Sequence, residues 1–389
     1  MLMNEKEQMY NERVERFVKT VNHEEPDRVP VLSLVETMAI AYAGATIEEC
    51  LKSHDDEFKI YGKLFEDVYF DGTLGFGLNR AMNVYSALGV NAYFVSEDGT
   101  TLQHGEISPM ADTEYDDFIE NPIRFAKNVL FKRKYPNLNL PYPQNKEAIK
   151  NAALGLADFG KKMGDGAAYL KDLAGVPVTA GNYIIAPLDQ IFDYFRGFRG
   201  TLTDMRRNPD KLLEATDKLV DFCISLATGN APKLEPFPWV FSPLHIPTFL
   251  GPEQFGKFYW PSYKKMLMAL NERGAKVFIF MEGLWEPYYE FLQELPDNFA
   301  IGNLEKDDPI KVKKILGKKI TISGGMPLDK LRYETKEECI DHAKKIIDNC
   351  APGGGFIFST NLALLSGKDV NIENYKAVNE FVHEYGVYK

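Results

Sequence analysis

Short runs of almost entirely apolar residues alternate along this chain with longer amphipathic stretches. Runs with so few polar positions are typical of strands that are buried on both faces, as in parallel sheets. The pattern of strand, helix, strand predicts an α/β fold that is a (β/α)8 TIM barrel, and a doubly wound open sheet is the alternative. The eight apolar runs are RVPVLSLVE, VYFDGTLGFG, VPVTAGNYII, FPWVFSPLH, AKVFIFMEG, NFAIGNLE, KITISGGMP and GGFIFSTN.

The stretches between these runs have the apolar spacing of amphipathic helices. Two of them open with NPDKL and GPEQF, where an early proline and acidic residues favour a helix start. A helical stretch before the first run predicts an N-terminal helical extension. The predicted helices are Glu5–Asn22, Thr46–Asp67, Lys146–Leu173, Asn208–Thr228, Pro252–Arg273, Trp285–Leu295, Ile310–Leu316, Lys336–Cys350 and Asn371–Tyr385.

One segment, residues 91–107, interrupts this alternation. Its apolar and polar residues alternate singly around Asp98-Gly99, which predicts a β-hairpin. The hairpin would be an insertion between the second strand and its helix, over the mouth of the barrel. No repeat or proline- and serine-rich linker divides the chain, so we expect residues 1–389 to form a single domain.

Composition narrows the class of protein. The 389 residues are 45% hydrophobic, which suffices for a large core, and the net charge of −11 argues against a nucleic-acid partner. No apolar run approaches the roughly 18–20 residues that span a bilayer, and the first residues lack a signal core, so we expect no membrane association and a cytoplasmic location. The four cysteines share no CxxC spacing, which indicates a reducing compartment without a disulfide framework.

Functional residues of a TIM barrel lie where its strands end. Glu282 directly follows the apolar run Val277–Met281, and a carboxylate at that depth is costly unless it meets a cation, a metal or hydrogen-bond donors. Glu282 and His245 are therefore the candidate catalytic residues, against the alternatives of a solvated strand end and a hydrogen-bonded core histidine. The candidate substrate-binding residues at other strand ends are Glu36, Asp71, Tyr183, Glu305 and Asn361.

Several motifs together resemble those of a known family. They are RVERFVKTVNHEEPDRVPV, APLDQIFDYFRGFRGTLTDMRRNPDKL, GPEQFGKFYWPSYKKM followed by GAKVFIFMEG, and the strand ends GNLE, ISGGMP and GGGFIFST. Over nearly its whole length the chain resembles the uroporphyrinogen decarboxylase superfamily, and its corrinoid-dependent methyltransferase branch most closely. True decarboxylases have an arginine-rich, RQAGR-like segment after the first strand, where this chain reads VETMAIAYAG.

The resemblance also bears on the metal. Methanogen methyltransferases of this branch hold zinc with a His-x-Cys at the fifth strand end and a cysteine after the last strand. Here those first two places are Phe280 and Glu282, and STNLALL after the last strand has no cysteine. A glutamate in this place resembles a subgroup that removes methyl groups from aromatic methyl ethers. Glu282 could then act as an acid with a raised pKa, or Glu282 and His245 could bind zinc if Glu36, Asp71 or Glu305 completed the set.

The resemblance implies a methyltransferase that moves a methyl group from a small O-methyl donor to a corrinoid. Because the chain has no Asp-x-His-x-x-Gly signature, the corrinoid (methylcobalamin once methylated) is expected on a separate partner protein. Two alternatives stay open: a decarboxylase or lyase acting on another carboxylated substrate, and a non-catalytic homologue that binds a ligand or the corrinoid protein. Phe280 is expected to be core, so Phe280→Ala would cost roughly 3–5 kcal/mol.

Overall fold

A computed structural model describes residues 5–52, 54–75, 80–97, 99–180, 182–229 and 234–389. Its strands are β1 Leu32–Ser33, β2 Gly72–Thr73, β3 Tyr93–Val95, β4 Leu102–His104, β5 Trp239–Pro243, β6 Lys276–Met281, β7 Ala300–Leu304, β8 Ile320–Met326 and β9 Phe356–Thr360. All strand pairs except β3 with β4 are parallel, as the uninterrupted apolar runs predicted.

The parallel strands form a closed ring. β5 to β9 pair in sequence order, and β1 pairs with β2. Single parallel bridges complete the circuit, joining Val31 to Phe358, Thr73 to Val178 and Tyr183 to Phe241. The segment that contains Val178 and Tyr183 therefore occupies the third place between β2 and β5, and each of the eight predicted runs supplies one place. The predicted TIM barrel is confirmed.

Helices surround this ring, and those predicted from the sequence are present. The described parts of the predicted Thr46–Asp67 helix are Ile47–Lys52 and His54–Asp67. The Pro252–Arg273 helix contains a π-helical turn, and the predicted Trp285–Leu295 helix is a 3-10 turn followed by the short helix Tyr289–Leu292. The α-helices are Glu5–Val21, Met38–Tyr42, Ile47–Lys52, His54–Asp67, Met82–Ala87, Tyr115–Glu120, Pro122–Phe125, Phe131–Lys134, Gln144–Ala174, Pro187–Gln190, Gly197–Arg207, Pro209–Thr228, Pro252–Gln254, Trp260–Glu272, Tyr289–Leu292, Pro309–Leu316, Leu328–Tyr333, Lys336–Cys350 and Ile372–Tyr385. Shorter turns are the π-helices Ala126–Leu130, Ile191–Arg196 and Phe255–Tyr259 and the 3-10 helices Asp112–Glu114, Pro136–Asn139, Ile246–Phe249 and Glu286–Tyr288.

The N-terminal helix Glu5–Val21 closes one end of the barrel. Its Phe17 and Val21 are buried against Trp239 and Phe278, which point into the barrel from β5 and β6. This packing removes apolar surface of the helix and of the barrel interior from water together, at about 25 cal/mol for each Å². The amino end of the barrel is therefore filled, and the carboxyl end remains for function.

Asp71 belongs to this closed end. It immediately precedes β2, so it lies at the amino end of the strand and not at the carboxyl end where we predicted it. Its fully buried carboxylate accepts hydrogen bonds from Arg16, Tyr69 and the Val31 backbone N–H, and Arg13 lies 3.7 Å away. A carboxylate with these partners anchors the N-terminal helix to the barrel, and we do not retain Asp71 as a substrate-binding residue.

The alternation of side chains along each strand determines which residues point into the mouth of the barrel. Successive side chains of a strand face opposite sides of the sheet. On β6, Phe278 and Phe280 belong to the interior cluster, whereas Val277, Ile279 and Met281 face the surrounding helices. Glu282 continues the inward-facing series at the carboxyl end of the strand, so its carboxylate is directed to the mouth and not to the helices.

The predicted hairpin is present. β3 and β4 pair antiparallel, with Tyr93 opposite His104 and Val95 opposite Leu102. The turn was predicted at Asp98-Gly99, of which Asp98 lies outside the described residues; Gly99 has a φ of +73°, a conformation that glycine adopts without strain. Among the described residues, no helix is both long and apolar enough to span a membrane.

Candidate active site

Four predicted residues meet at the carboxyl end of the barrel. Glu36 follows β1, His245 follows β5, Glu282 follows β6 and Glu305 follows β7. The positions of Glu36, Glu282 and Glu305 continue the inward alternation of Leu34, Phe280 and Ile301 along their strands. Glu305 accepts a hydrogen bond from the backbone N–H of Gly283, directly after Glu282, and the charges of His245 and Glu305 both affect the pKa of Glu282.

His245 is held by a carboxylate that the sequence analysis missed. Its Nδ1 lies 2.9 and 3.1 Å from the two carboxylate oxygens of Asp193, which lies in the π-helix Ile191–Arg196. An ionised carboxylate only accepts hydrogen bonds, so Nδ1 donates to Asp193 and carries a proton whether the ring is neutral or charged. The hydrogen bond from His245 to Asp193 is the main cause that raises the histidine pKa to about 9, and the charges of Asp193, Asp189 and Glu282 add to it. His245 is therefore an imidazolium at neutral pH.

A second missed carboxylate, Asp189, fixes the backbone at His245. Its Oδ1 accepts from the backbone N–H groups of His245 and Ile246, at 3.1 and 2.9 Å, and its Oδ2 accepts from the Tyr259 hydroxyl at 2.6 Å. Burial, and after it the charge of Asp193, raise the pKa of this fully buried carboxyl to about 6, although the hydrogen bonds from Ile246 and Tyr259 lower it. Asp189 thus positions the main chain of His245 while Asp193 positions its ring.

Glu282 has the environment of an acid. Burial raises its pKa to about 7, the His245 cation opposes this shift, and the charges of Asp189, Glu305 and Asp193 reinforce it. No hydrogen bond to the Glu282 carboxylate is found in the part of the chain that the structure describes. A carboxyl that is partly protonated near neutral pH and not committed to another group can give a proton to a bound molecule.

Glu36 is the second carboxyl of the mouth with a raised pKa. Burial causes the shift and Arg80 opposes it, with the nearest guanidinium nitrogen 4.0 Å from the carboxylate. Since 38% of the Glu36 side chain is still accessible, it can contact a molecule in the mouth. The predicted role of Glu36 in substrate binding stays a proposal.

Glu305 and Asn361 support the mouth through hydrogen bonds. Glu305 accepts from the backbone N–H of Gly283, the residue after Glu282, at 2.8 Å. The Asn361 amide donates to the Glu305 carbonyl at 3.0 Å and accepts from the Leu328 N–H at 3.1 Å. Both ends of the Asn361 side chain are thereby engaged, so its contribution is to fix the loops after β7 and β8.

Tyrosines form one wall of the mouth. Tyr183 is 62% exposed and, like Tyr85 and Tyr93, lies close to Tyr194. Burial is the main cause that raises the pKa of the Tyr194 hydroxyl. Tyr93 comes from the hairpin, and its ring meets that of Tyr85 edge to face at 5.5 Å. This wall offers flat apolar faces beside the carboxyl groups. By contrast, Trp285 is fully buried, so it belongs to the core.

The donor set does not fit the zinc site considered from the sequence. Among the described residues, the group that could hold a metal is Asp189, Asp193 and His245, and Glu282 is not a member. The oxygens of Asp189 are already engaged by two N–H groups and a hydroxyl, and Asp193 is engaged by the imidazole. We therefore derive no step through a metal.

Comparison with known proteins gives the family. The family model for uroporphyrinogen decarboxylase (URO-D) matches residues 165–385. The chain belongs to the uroporphyrinogen decarboxylase family. Its structure is similar to that of a methyltransferase from Methanosarcina mazei, with a TM-score of 0.60, 13% identity, and coverage of 96% of this chain and 98% of that chain. At this identity the likeness shows the fold alone, and no curated protein sequence matches the chain.

The four cysteines of this uroporphyrinogen decarboxylase family member are core residues. All four are buried, and burial raises the pKa of the Cys223 and Cys350 thiols to about 12. Such thiols remain protonated, whereas metal binding and nucleophilic attack require a thiolate. This agrees with the loss of the thiolate positions noted in the sequence.

Phe280 occupies a different environment from the one predicted. It is only half-buried in the barrel interior, where its ring meets Phe241 at 6.1 Å, so it forms the apolar floor below Glu282. We expect Phe280→Ala to lower the free energy of unfolding by about 1–3 kcal/mol, less than the ~3–5 kcal/mol of a fully buried phenylalanine.

Phe278 is the matched control because it faces the same interior from the same strand and is fully buried. We expect Phe278→Ala to lose the larger amount, about 3–5 kcal/mol, in urea denaturation followed by circular dichroism. Equal losses in the two variants would show that Phe280 is as much a core residue as Phe278.

Proposed function

We propose that this protein is the methyltransferase component that moves a methyl group from a small O-methyl compound, an aromatic methyl ether, to a corrinoid on a separate protein. The observation that supports it is the combination of an imidazolium, His245, with a carboxyl of raised pKa, Glu282, at the mouth of the barrel. The name of the similar M. mazei structure, a methyltransferase, agrees with the proposal.

Cleavage of an aryl methyl ether leaves the bonding electron pair on the phenolic oxygen. That oxygen is a poor leaving group unless its charge is stabilised or it receives a proton. In our proposal Glu282 gives its proton to the oxygen as the bond to the methyl carbon breaks, and the product is a phenol. The His245 cation stabilises the negative charge that develops on the oxygen.

The tyrosine wall and Phe280 would orient the ring of the ether. Aromatic pairs prefer edge-to-face or offset contacts, which Tyr85 and Tyr93 already show with each other. The corrinoid, when its partner is bound, supplies the nucleophile that takes the methyl group. The rim suits such a partner because large apolar side chains are exposed around the mouth, with 53% of Phe249 and 49% of Leu284 accessible.

The test is transfer from methoxybenzene-type donors to reduced corrinoid carrier proteins. Absorbance reports the change of the corrinoid, and chromatography reports the phenol. Loss of the donor with equal formation of the phenol supports the proposal. Carbon dioxide release from carboxylic acids without methyl transfer would favour a decarboxylase, and carrier binding without turnover over a broad donor panel would favour a non-catalytic homologue.

We expect methyl transfer to continue after removal of divalent metals. Because the oxygens of Asp189 and Asp193 are already engaged, dialysis against EDTA should leave the turnover rate unchanged. Metal content by mass spectrometry and turnover are measured on the same sample. Stoichiometric zinc whose removal stops turnover, and whose return restores it, would contradict this expectation and favour Glu282 and His245 as ligands.

A further inference from the structure

A cluster of basic side chains lies on the wall of the mouth that the catalytic groups leave free. Lys134 ends the helix Phe131–Lys134, and its ammonium lies 5.1 Å from the centre of the Tyr194 ring. Arg80 lies 5.5 Å from the centre of the Tyr93 ring. His104 of the hairpin lies close to both cations. Burial is the main cause that lowers the pKa of His104, and the charges of Lys134 and Arg80 lower it as well.

Lys134 differs from its neighbours on the same helix. Lys132 is exposed, and Arg133 pairs with Glu114 at 2.7 Å. Lys134 is half-buried, burial lowers its pKa, and within the described residues it forms no ion pair. The nearby carboxylate of Asp193 raises its pKa but is engaged by the His245 ring, so Lys134 is a cation without an anion of its own.

We propose that Lys134 binds the carboxylate of the substrate, which is therefore a methoxybenzoate-type compound and not a neutral or cationic ether. This inference rests on the proposed function, because it concerns the same site. Asp193 lies between the catalytic His245 and Lys134. It accepts a hydrogen bond from the His245 ring, and its charge raises the pKa of Lys134. A ring against the tyrosine wall would place its carboxylate at Lys134 and its methoxy group at the carboxyl ends of β5 and β6.

The alternatives are weaker on the same observations. A cationic methyl donor would suit the carboxyls of Glu36 and Glu282, but Lys134, Arg80 and the imidazolium of His245 would repel it. With a neutral ether, the half-buried ammonium of Lys134 would have only the carboxylate of Asp193 nearby as a counter-charge, and His245 already shares that carboxylate. An anionic group on the substrate would supply a counter-charge for Lys134.

The experiment measures binding by titration calorimetry without a corrinoid carrier. The probes are 3-methoxybenzoate, methoxybenzene, 3-methoxybenzylammonium and inorganic phosphate, and the variants are Lys134→Met and the matched control Lys132→Met. We expect wild type and Lys132→Met to bind the benzoate most tightly. Lys134→Met should bind it about 10- to 100-fold more weakly, in the range typical of a lost charged hydrogen bond, with methoxybenzene binding unchanged.

Several outcomes would overturn the inference. They are equal benzoate binding by wild type and Lys134→Met, preference of the wild type for the neutral or cationic probe, and phosphate binding as tight as that of the benzoate. Failure of the proposed function is distinguishable, since it would appear as Lys134-dependent benzoate binding without methyl transfer to any carrier.

Discussion

Replacing Glu282 by glutamine is expected to lower turnover by about 10²–10⁴-fold, the usual contribution of a positioned acid, while the fold is retained. Glutamine keeps the shape of the side chain but cannot give up a proton to the phenolic oxygen. Glu286→Gln is the matched control, because Glu286 lies four residues later, is exposed, and pairs only with Lys311 among the described residues. We expect the control to retain wild-type turnover.

The pH dependence makes this prediction sharper. Since the pKa of Glu282 is raised to about 7, the protonated acid is lost as the pH rises through this value, and wild-type turnover should fall there. The residual activity of Glu282→Gln should lack this limb and decline only as His245 loses its proton near pH 9. Wild-type turnover in Glu282→Gln, or an unchanged limb near pH 7, would show that Glu282 is a bystander at the strand end.

Stability gives an independent measurement on the same variant. The pKa of Glu282 is higher in the folded chain than its ordinary 4.5, so the folded chain binds the proton more tightly. Folding stability is therefore unaffected by this group below pH 4.5, falls as the pH rises from 4.5 to about 7, and stays lower above. Glu282→Gln should melt at a higher temperature than wild type at pH 8, with the difference vanishing toward pH 4.5.

The barrel could be predicted because its strands are buried on both faces. β6, Lys276–Met281, is apolar on both faces because Phe278 and Phe280 fill the interior while Val277 and Ile279 pack on helices. A continuous apolar run indicates a buried strand whichever elements pack against it, so the local sequence was sufficient to predict the strand. It also placed Glu282 correctly, because a residue at the end of a regular strand inherits its direction from the alternation.

The position of Asp71 could not be predicted from the local sequence. The run VYFDGTLGFG is apolar on both sides of Asp71, so the sequence does not reveal whether the aspartate precedes or follows the paired residues. The decision comes from Arg16, 55 positions away on the N-terminal helix, which pairs with the buried carboxylate. An ion pair between residues so distant in sequence leaves no periodic signal.

Asp189 and Asp193 were missed for a related reason. They lie in APLDQIFDYFRGFRG, where one proline and two glycines obscure the helical period, and no helix was predicted there. The available signal was their spacing: two carboxylates four residues apart, soon after the third strand, lie on one side of a helical turn. Lys134 was missed as well, because the sequence does not distinguish it from the exposed Lys132, whereas in the structure its ammonium lies over the Tyr194 ring.

The second large effect is expected at His245. We expect His245→Gln to lower turnover by about 10²–10³-fold, as for the loss of a group that stabilises developing charge. The variant should also lose the decline of activity near pH 9. Folding stability should fall with rising pH, as for Glu282, but in a higher pH range. A raised pKa of a histidine stabilises the folded chain fully below pH 6.5, and this contribution is lost as the pH rises through about 9.

Asp193→Asn separates positioning from chemistry. Asparagine can still hold the ring of His245 but carries no charge, so the main cause of the raised histidine pKa is removed. We expect a smaller loss of turnover than in His245→Gln at neutral pH, and the upper limb should move from about pH 9 toward the ordinary 6.5 of histidine. Two-dimensional NMR of the imidazole measures the same pKa directly. If the histidine pKa stays near 9 in Asp193→Asn, then Asp193 does not set the charge of His245. Another group would then have to keep His245 protonated beside the phenolic oxygen.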